Sequence, residues 1–264
     1  MTVLSRLAAG AALMAVAAAP AYAQQYVSGS AGFNFQADSD NDGAFTSDFV
    51  TGDGVAVPPG TTLPAGAELG WTSEFETGLF VAAAYGYRFD AGMGGGSFRL
   101  EGELSYTSAD VDTHAGVTAG GDALGAADAA VLITGSAPLG VTVADLVADG
   151  QGEITSFGYA LNGYYDLPIE GTAFSAYAGL GLGLAEVDVD YSPSDVAIIE
   201  DTEMVGFYQL MAGGSYAFGP DVEAFAGYRY RQSGDAETDS VLVPAGLDIE
   251  NQNHILEFGL RYSF

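Results

Sequence analysis

Two residue types are missing from this chain of 264 residues, cysteine and lysine. Without cysteine the protein can form neither a disulfide bond nor a thiolate metal site. The basic residues number only six, all of them arginine, against 35 Asp and Glu, which gives a formal net charge of −29. Such a chain repels the phosphate backbone of nucleic acids, so we expect no nucleic-acid partner.

Beyond its first residues the sequence also lacks an apolar run of the roughly 20 residues that a membrane-spanning helix needs. At the start, a single charge at Arg6 precedes a shorter apolar run from Leu7 to Ala19, and the small residues Ala21-Tyr22-Ala23 follow. This order is typical of a secretory signal peptide and its cleavage site. We therefore predict a signal peptide over residues 1–23 and one domain over residues 24–264.

Glycine and aromatic residues are abundant, with 38 Gly, 15 Tyr and 15 Phe, and this composition favours strands over helices. The last stretch, His254 to Phe264, alternates with a period of two. One face is apolar through to Phe264, and the other carries Glu257 and Arg261. The alternation predicts a β-strand, and a strand between lipid and a polar lumen has this pattern.

Seven further stretches alternate in the same way, so eight strands are predicted. Their approximate bounds are Tyr26 to Gln36, Glu74 to Phe89, Ser97 to Thr107, Ile154 to Asp166, Ala173 to Asp188, Glu203 to Phe218, Val222 to Gln232 and His254 to Phe264. The connections alternate between long and short, and the long loops are predicted at 37–72, 108–152, 189–202 and 233–251, the second with room for a small hairpin or helix. An even strand number with short periplasmic turns and long external loops indicates an all-β, eight-stranded antiparallel transmembrane barrel.

Charged residues of the strands fall on the faces opposite to the apolar ones. Nine are expected to point into the barrel: Arg88, Arg99, Glu101, Glu103, Glu223, Arg229, Arg231, Glu257 and Arg261. The interior of an eight-stranded barrel is just wide enough for side chains to fill, so these charges should pair with each other. A gated channel or a proton path is the alternative. We expect Arg88, Arg99 and Arg261 toward the short turns, and Glu103, Arg229 and Glu257 nearer mid-height.

The first long loop opens with Asp38-Ser39-Asp40-Asn41-Asp42-Gly43, which resembles the start of a calcium-binding loop. Asp38, Asp40, Asp42 and Asp48 are the candidate ligands. The glutamate that such a loop carries at its twelfth position is replaced by Phe49. A solvated acidic loop that screens itself with diffuse divalent ions is the alternative, and no other cofactor is expected.

The two histidines, His114 and His254, lie in the second long loop and near the outer rim of the last strand. Neither belongs to a recognisable catalytic motif, although His254 could meet an aspartate of a loop. Because no nucleophile, base and orienting residue can be identified together, no catalytic residue is assigned.

Several strings of the chain resemble the small eight-stranded outer-membrane barrels of Gram-negative bacteria, the group that includes the OmpA transmembrane domain, OmpX and the opacity-type surface proteins. These strings are YGYRF at 85–89, FRLEGELSY at 98–106, YAGLGLGLA at 177–185, YQLMAGGSYAF at 208–218, FAGYRYR at 225–231 and LEFGLRYSF at 256–264. Members of this group are surface antigens, adhesins, invasins and envelope-stabilising proteins. The resemblance implies that the barrel-assembly machinery reads the terminal aromatic residue.

The function expected from these features is a non-enzymatic structural or surface role in the outer membrane, with acidic loops outside the cell. The expected partners are outer-membrane lipid, lipopolysaccharide, the barrel-assembly machinery and an external ligand. A narrow porin-like channel or ligand carrier is the alternative, and a lipid-modifying barrel enzyme is a third hypothesis.

Overall fold

The computed structural model describes residues 23–51, 60–90, 95–135 and 137–264, so the signal peptide prediction falls outside the described residues except at Ala23. Within these ranges the chain forms fifteen strands: β1 (Gln24–Gln36), β2 (Ser39–Phe45), β3 (Phe49–Val50), β4 (Thr62–Leu63), β5 (Glu68–Phe75), β6 (Thr77–Asp90), β7 (Ser97–Ala119), β8 (Asp122–Ala123), β9 (Gly152–Pro168), β10 (Phe174–Tyr191), β11 (Ile199–Ala217), β12 (Val222–Ser233), β13 (Ala236–Asp239), β14 (Ala245–Ile249) and β15 (Gln252–Ser263). Two short helices, α1 (Ala129–Thr134) and α2 (Val143–Val147), and one 3₁₀ turn at Pro193–Asp195 accompany them.

Eight of these strands form a ring in which each strand pairs antiparallel with two others, in the order β1, β6, β7, β9, β10, β11, β12 and β15. The ring is completed where β15 pairs with β1, with Glu257 opposite Gly32 and Ser263 opposite Tyr26. The all-β prediction is confirmed, and the eight predicted strands are those of the ring. A total of eight strands is wrong, because the connections contain further strands.

Short turns join β6 to β7, β9 to β10 and β11 to β12 at one end of the ring. The chain ends lie there too, because the amide of Phe264 donates to the carbonyl of Gln25 at 2.9 Å and that of Ser263 to Asp221 at 2.8 Å. The four long connections leave from the opposite end. The predicted alternation of short and long connections is therefore confirmed.

The long connections are not irregular loops, and this part of the sequence interpretation is wrong. Four short strands, β2, β5, β13 and β14, stand above β1, β6, β12 and β15, and they pair in the order β13, β14, β2, β5 and β7. On the other side β13 lies beside β11, where Ile199 bridges Ser240 and the amide of Val241 donates to the carbonyl of Ile198 at 2.9 Å. We call this layer, with the far halves of β7, β9, β10 and β11, the upper tier, and the ring below it the lower tier.

The polarity of the two faces of the sheet is reversed between the tiers, and β10 shows this reversal most clearly. Its outward row in the lower tier consists of the exposed Leu180, Leu182 and Leu184, and the same row continues as Glu186, Asp188 and Asp190. The inward row changes in the opposite sense, from glycines to the buried Ala185, Val187, Val189 and Tyr191. The lower tier is therefore apolar outside, and the upper tier is apolar inside.

The segment 120–151 covers the upper tier and contains both helices, as the sequence allowed. Asp128 caps α1 by accepting from the amide of Val131, and Thr142 forms a capping box with Asp145 at the start of α2. The buried side chains of α2, Val143 and Val147, join the apolar interior. Neither helix in the described ranges is long and apolar enough to cross a membrane.

Candidate functional site

A first group of charges lies inside the lower tier near the short turns, and we call it the lower cluster. It consists of Arg88, Arg99, Arg261, Glu101, Asp166 and Glu223. Arg99 donates to Glu101 at 2.6 Å and through Nε to Asp166 at 2.7 Å. Glu223 lies 2.7 Å from Nη2 of Arg88 and 2.8 Å from Nη1 of Arg261. Three positive and three negative groups therefore meet here, and their charges balance.

A second group, the middle cluster, lies deeper in the ring and consists of Arg229, Arg231, Glu103 and Glu257, all buried. Nη1 of Arg229 lies 2.5 Å from Glu103, and its Nη2 lies 3.2 Å from Glu257. Arg231 approaches Glu103 at 3.6 Å. Two arginines balance two glutamates, so this cluster is neutral as well.

Neutral polar side chains complete the middle cluster. The amide of Gln209 donates to Asn162 at 2.7 Å, and that of Asn162 donates to Glu103 at 3.1 Å. The carbonyl oxygen of Gln209 accepts from Nε of Arg231 at 3.1 Å. Because buried charges are stable only when partners satisfy them, this network allows four ionised groups to share a narrow interior.

Aromatic rings lie against the guanidinium groups and fill the remaining width of the ring. Arg99 lies 4.2 Å from the ring centre of Tyr164, Arg231 4.4 Å from Phe207, and Arg229 4.9 Å from Phe80. Such contacts are favourable because the ring face is electronegative. Phe80 is an apolar residue on the otherwise polar face of the predicted strand Glu74 to Phe89. Its ring is buried in the interior against Arg229.

The cavity between the two clusters has a volume of only about 20 Å³. That is space for about one water molecule. Its walls include Glu101, Glu103, Arg229 and Glu257. The described interior therefore contains a plug of paired side chains at this height.

All nine sequence-predicted charges lie in these two clusters, with Arg88, Arg99 and Arg261 near the short turns. Sequence reasoning missed Asp166, which pairs with Arg99 in a bidentate contact at 2.7 and 3.0 Å. The sequence alternation could have indicated this position, because Asp166 lies on the same face of β9 as Asn162 and Ser156. Glu74 and Glu76, which share the alternation parity of Arg88 in the predicted strand Glu74 to Phe89, lie instead exposed near the β5–β6 junction.

The interior of the upper tier is different, because it is lined mostly by apolar residues, and a small group of buried polar side chains lies among them. Ser73 Oγ and His114 Nδ1 are 2.8 Å apart, and Asn41 donates to Ser73 at 2.8 Å. Burial lowers the pKa of His114 to about 4, against a smaller opposite effect of Asp149, so the ring is neutral at pH 7. Ser73 has no exposed surface, so the pair lacks the accessible nucleophile that a hydrolase needs.

The candidate calcium ligands lie at the outside of the upper tier, and the loop predicted for them is a strand. Asp40 and Asp42 are exposed on β2, which is extended and pairs with β5 and β14. Asp48 accepts from the amide of Ala65 at 3.1 Å. Among the residues that the structure describes, no group of three or more acidic or histidine side chains could hold a metal ion.

His254 lies on the outer side of β15, where its Nδ1 is 2.6 Å from the hydroxyl of Tyr228 and its ring lies 5.5 Å from that of Tyr230. The aspartate partner that the sequence suggested is replaced by these tyrosines. Aromatic residues with polar tips are typical of the membrane–water interface.

Comparison with known proteins gives one family match and several distant structural similarities. Residues 9–264 match the family described as outer membrane protein beta-barrel domain. Among solved structures, Neisserial surface protein A shares 15% identity at a TM-score of 0.42, covering 91% of this chain and 97% of that one. OprG from Pseudomonas aeruginosa shares 13% at 0.47, covering 92% and 97%. The protease OmpT from Escherichia coli shares 8% at 0.42, covering 91% and 97%.

These structural similarities are too distant to bear on function, and no curated protein matches the sequence. The family match, by contrast, extends from residue 9 to the last residue and agrees with the resemblance found in the sequence. The chain belongs to the outer membrane protein beta-barrel domain family.

Proposed function

We propose that the protein is a non-enzymatic outer-membrane barrel of a Gram-negative bacterium, with its lower tier in the bilayer and its upper tier outside the cell. The exchange of faces on β10, between Leu184 and Glu186, carries this proposal. Leucines turned outward suit lipid, and acids turned outward suit water. The stretch from Phe174 to Leu184 has the length of a tilted transmembrane strand, about 9–11 residues. The short turns then face the periplasm.

The interior supports a structural role rather than transport. Both charge clusters are neutral and paired, and the space between them holds about one water molecule. A narrow porin-like channel requires a continuous water path, and the middle cluster blocks it at Arg229 and Glu103. A ring of unpaired charges would favour conduction, but every guanidinium group here lies within 4 Å of a carboxylate.

The outer surface of the upper tier is acidic, and this surface is where the protein meets its surroundings. Exposed acids include Asp40, Asp112, Asp188, Glu200 and Glu237. Lipopolysaccharide is itself anionic, so divalent cations would have to screen or bridge the two surfaces. Outer-membrane lipid is the partner of the leucine-rich face. The barrel-assembly machinery is the partner during insertion, and an external ligand is the partner of the upper tier.

Cysteine labelling tests the orientation directly, because the natural chain contains no cysteine. Asp188→Cys, Leu182→Cys and Asp221→Cys place one thiol each on the upper tier, the leucine face and a short turn. A membrane-impermeant maleimide added to intact cells should label the first variant only, and permeabilised cells should also allow the third to react. Labelling of Asp221→Cys but not Asp188→Cys in intact cells would mean that the orientation is reversed.

Planar-bilayer recording tests the closed interior. The purified wild-type barrel should give no stable single-channel current, because the clusters fill the ring. Insertion is checked on the same samples by a shift in gel migration between boiled and unboiled protein. Reproducible currents from inserted wild-type protein would support the porin-like alternative instead.

A further inference from the structure

The upper tier encloses a cavity of about 150 Å³ that is separate from the charged clusters. Its wall includes residues of β2, β3, β4, β5, β7, β10 and β14 and of both helices, and almost all of its surface is apolar. Representative wall residues are Phe45, Leu69, Trp71, Leu132, Val147 and Leu247. Phe49, Leu242 and Val243 in the same wall are partly exposed, which brings this side of the cavity close to solvent.

A largely apolar cavity of this volume is large enough for a molecule of about the size of benzene. Proteins seldom leave such a void, because each lost contact lowers stability. Ligand sites, in contrast, are typically apolar with a few polar groups that fix orientation. The size and the lining together limit the occupant to a small, largely apolar molecule.

His114 supplies one polar group in the wall. The residue is only 4% exposed, and its Nδ1 is occupied by Ser73 at 2.8 Å. Its Nε2 is buried and finds no hydrogen-bond partner within the described part of the chain. A buried nitrogen of this kind destabilises the folded state when it stays unsatisfied. A ligand hydroxyl would satisfy it in either tautomer of the ring, because a hydroxyl both donates and accepts.

From this geometry we infer that the upper tier is a binding site for a small neutral aromatic molecule with one hydroxyl, such as a phenol, with the ring in the apolar cavity and the hydroxyl on His114 Nε2. Charged ligands are excluded because the wall contains no charged side chain among its described residues. Burial also keeps His114 neutral, as described above. The inference depends on the fold of the upper tier and not on which side of the membrane that tier occupies.

Trp71 is the only tryptophan of the chain and lies in the cavity wall, so its fluorescence reports on occupancy. Phenol, benzene and benzoate are titrated at pH 7 into the full-length barrel in detergent. Phenol should give a saturable change in Trp71 emission, and it should bind about threefold to tenfold more tightly than benzene, as one neutral hydrogen bond predicts. Benzoate should give no saturable change.

Two variants distinguish binding in the cavity from partitioning of the ligand into the detergent. Val117→Phe fills the cavity from β7 and should abolish saturation by both phenol and benzene. His114→Phe keeps an aromatic ring but removes the nitrogen, so phenol should lose its advantage over benzene. His254→Phe, on the outer side of β15, is the matched control and should bind like the wild type.

Several outcomes would overturn the inference. The absence of a saturable phenol signal in the wild type, or equal binding of benzoate, contradicts a neutral ligand site without any variant. Unchanged binding in Val117→Phe contradicts the assignment to this cavity, and a retained phenol preference in His114→Phe contradicts the anchor. Heat-modifiable migration on gels shows that each variant is folded. An inverted labelling pattern, with Asp221→Cys labelled in intact cells and Asp188→Cys not, would overturn the proposed orientation and leave the binding result intact.

Discussion

Removal of Arg229 from the middle cluster is the most informative perturbation of the interior. In Arg229→Met the side chain keeps most of its length but loses its contacts with Glu103 at 2.5 and 2.9 Å and with Glu257 at 3.2 Å. Glu257 then has no arginine partner, while Glu103 retains the weaker contact with Arg231 at 3.6 Å. Breaking a buried pair from one side costs about 3–5 kcal/mol, so the free energy of unfolding should fall by this amount.

A second substitution tests whether the loss comes from charge imbalance. Arg229→Met together with Glu257→Gln leaves Arg231 opposite Glu103, and the cluster is neutral again. Because replacement of a whole buried ion pair is often close to neutral, the double variant should recover about half or more of the lost stability. The measurement is equilibrium unfolding in urea of the barrel in lipid vesicles, followed by circular dichroism and by gel migration without boiling.

Two results would refute this reasoning. A loss below about 1 kcal/mol in the single variant would mean that water reaches Glu103 and Glu257, as at an exposed ion pair. A double variant as unstable as the single one would mean that packing of the Arg229 side chain, and not its charge, stabilises the ring.

Three further predictions concern other parts of the chain. Burial lowers the pKa of His114 from 6.5 to about 4, so the folded state binds a proton at His114 less readily than the unfolded state. The free energy of unfolding should therefore fall by about 3 kcal/mol from above pH 6.5 to pH 4. In urea unfolding, His114→Phe should lack this pH-dependent loss. At Gly32 a Cβ would lie 1.9 Å from a backbone carbonyl of β15, whereas at Gly29 its nearest neighbour is 3.9 Å away. Gly32→Ala should therefore destabilise the ring by about 1–3 kcal/mol, with Gly29→Ala as the control, and equal effects would contradict this contact. In calcium titrations by calorimetry, the wild type and a variant with Asp40 and Asp42 changed to Asn should both show only weak binding, because β2 is extended; a tight site that the variant loses would restore the calcium hypothesis.

The ring could be predicted from the sequence because each of its strands keeps one apolar row of side chains on its outer face. This alternation can be recognised without knowing the tertiary contacts. It also assigns the charged residues to the inner face, where they can pair. The upper tier could not be predicted in this way. There the outward row is acidic and the strands are short and interrupted at Ala37 and Glu76, so β2 and β5 have the composition of a loop. Their pairing depends on neighbours far along the chain, such as β2 with β14.

The candidate sites differ in the same respect. Strand parity alone brings Arg229, Glu103 and Glu257 to one interior, since all three lie on polar rows of ring strands. The contact between Ser73 and His114 has no such signal, because irregular pairing between β5 and β7 brings the two residues together. The cavity is harder still to foresee, because its walls come from both helices and from strands of several connections.

The distribution of charge over the folded chain follows from the two clusters. All five arginines of the described residues lie inside the ring, and five carboxylates neutralise them there: Glu101, Glu103, Asp166, Glu223 and Glu257. The other acids of the described residues have no arginine left to balance them there, and many are exposed on the upper tier. Among the described residues, the excess negative charge therefore lies outside the two clusters. A partner that binds the acidic surface of the upper tier has to supply positive charge, either as basic side chains or as divalent cations, and its affinity should fall as ionic strength rises.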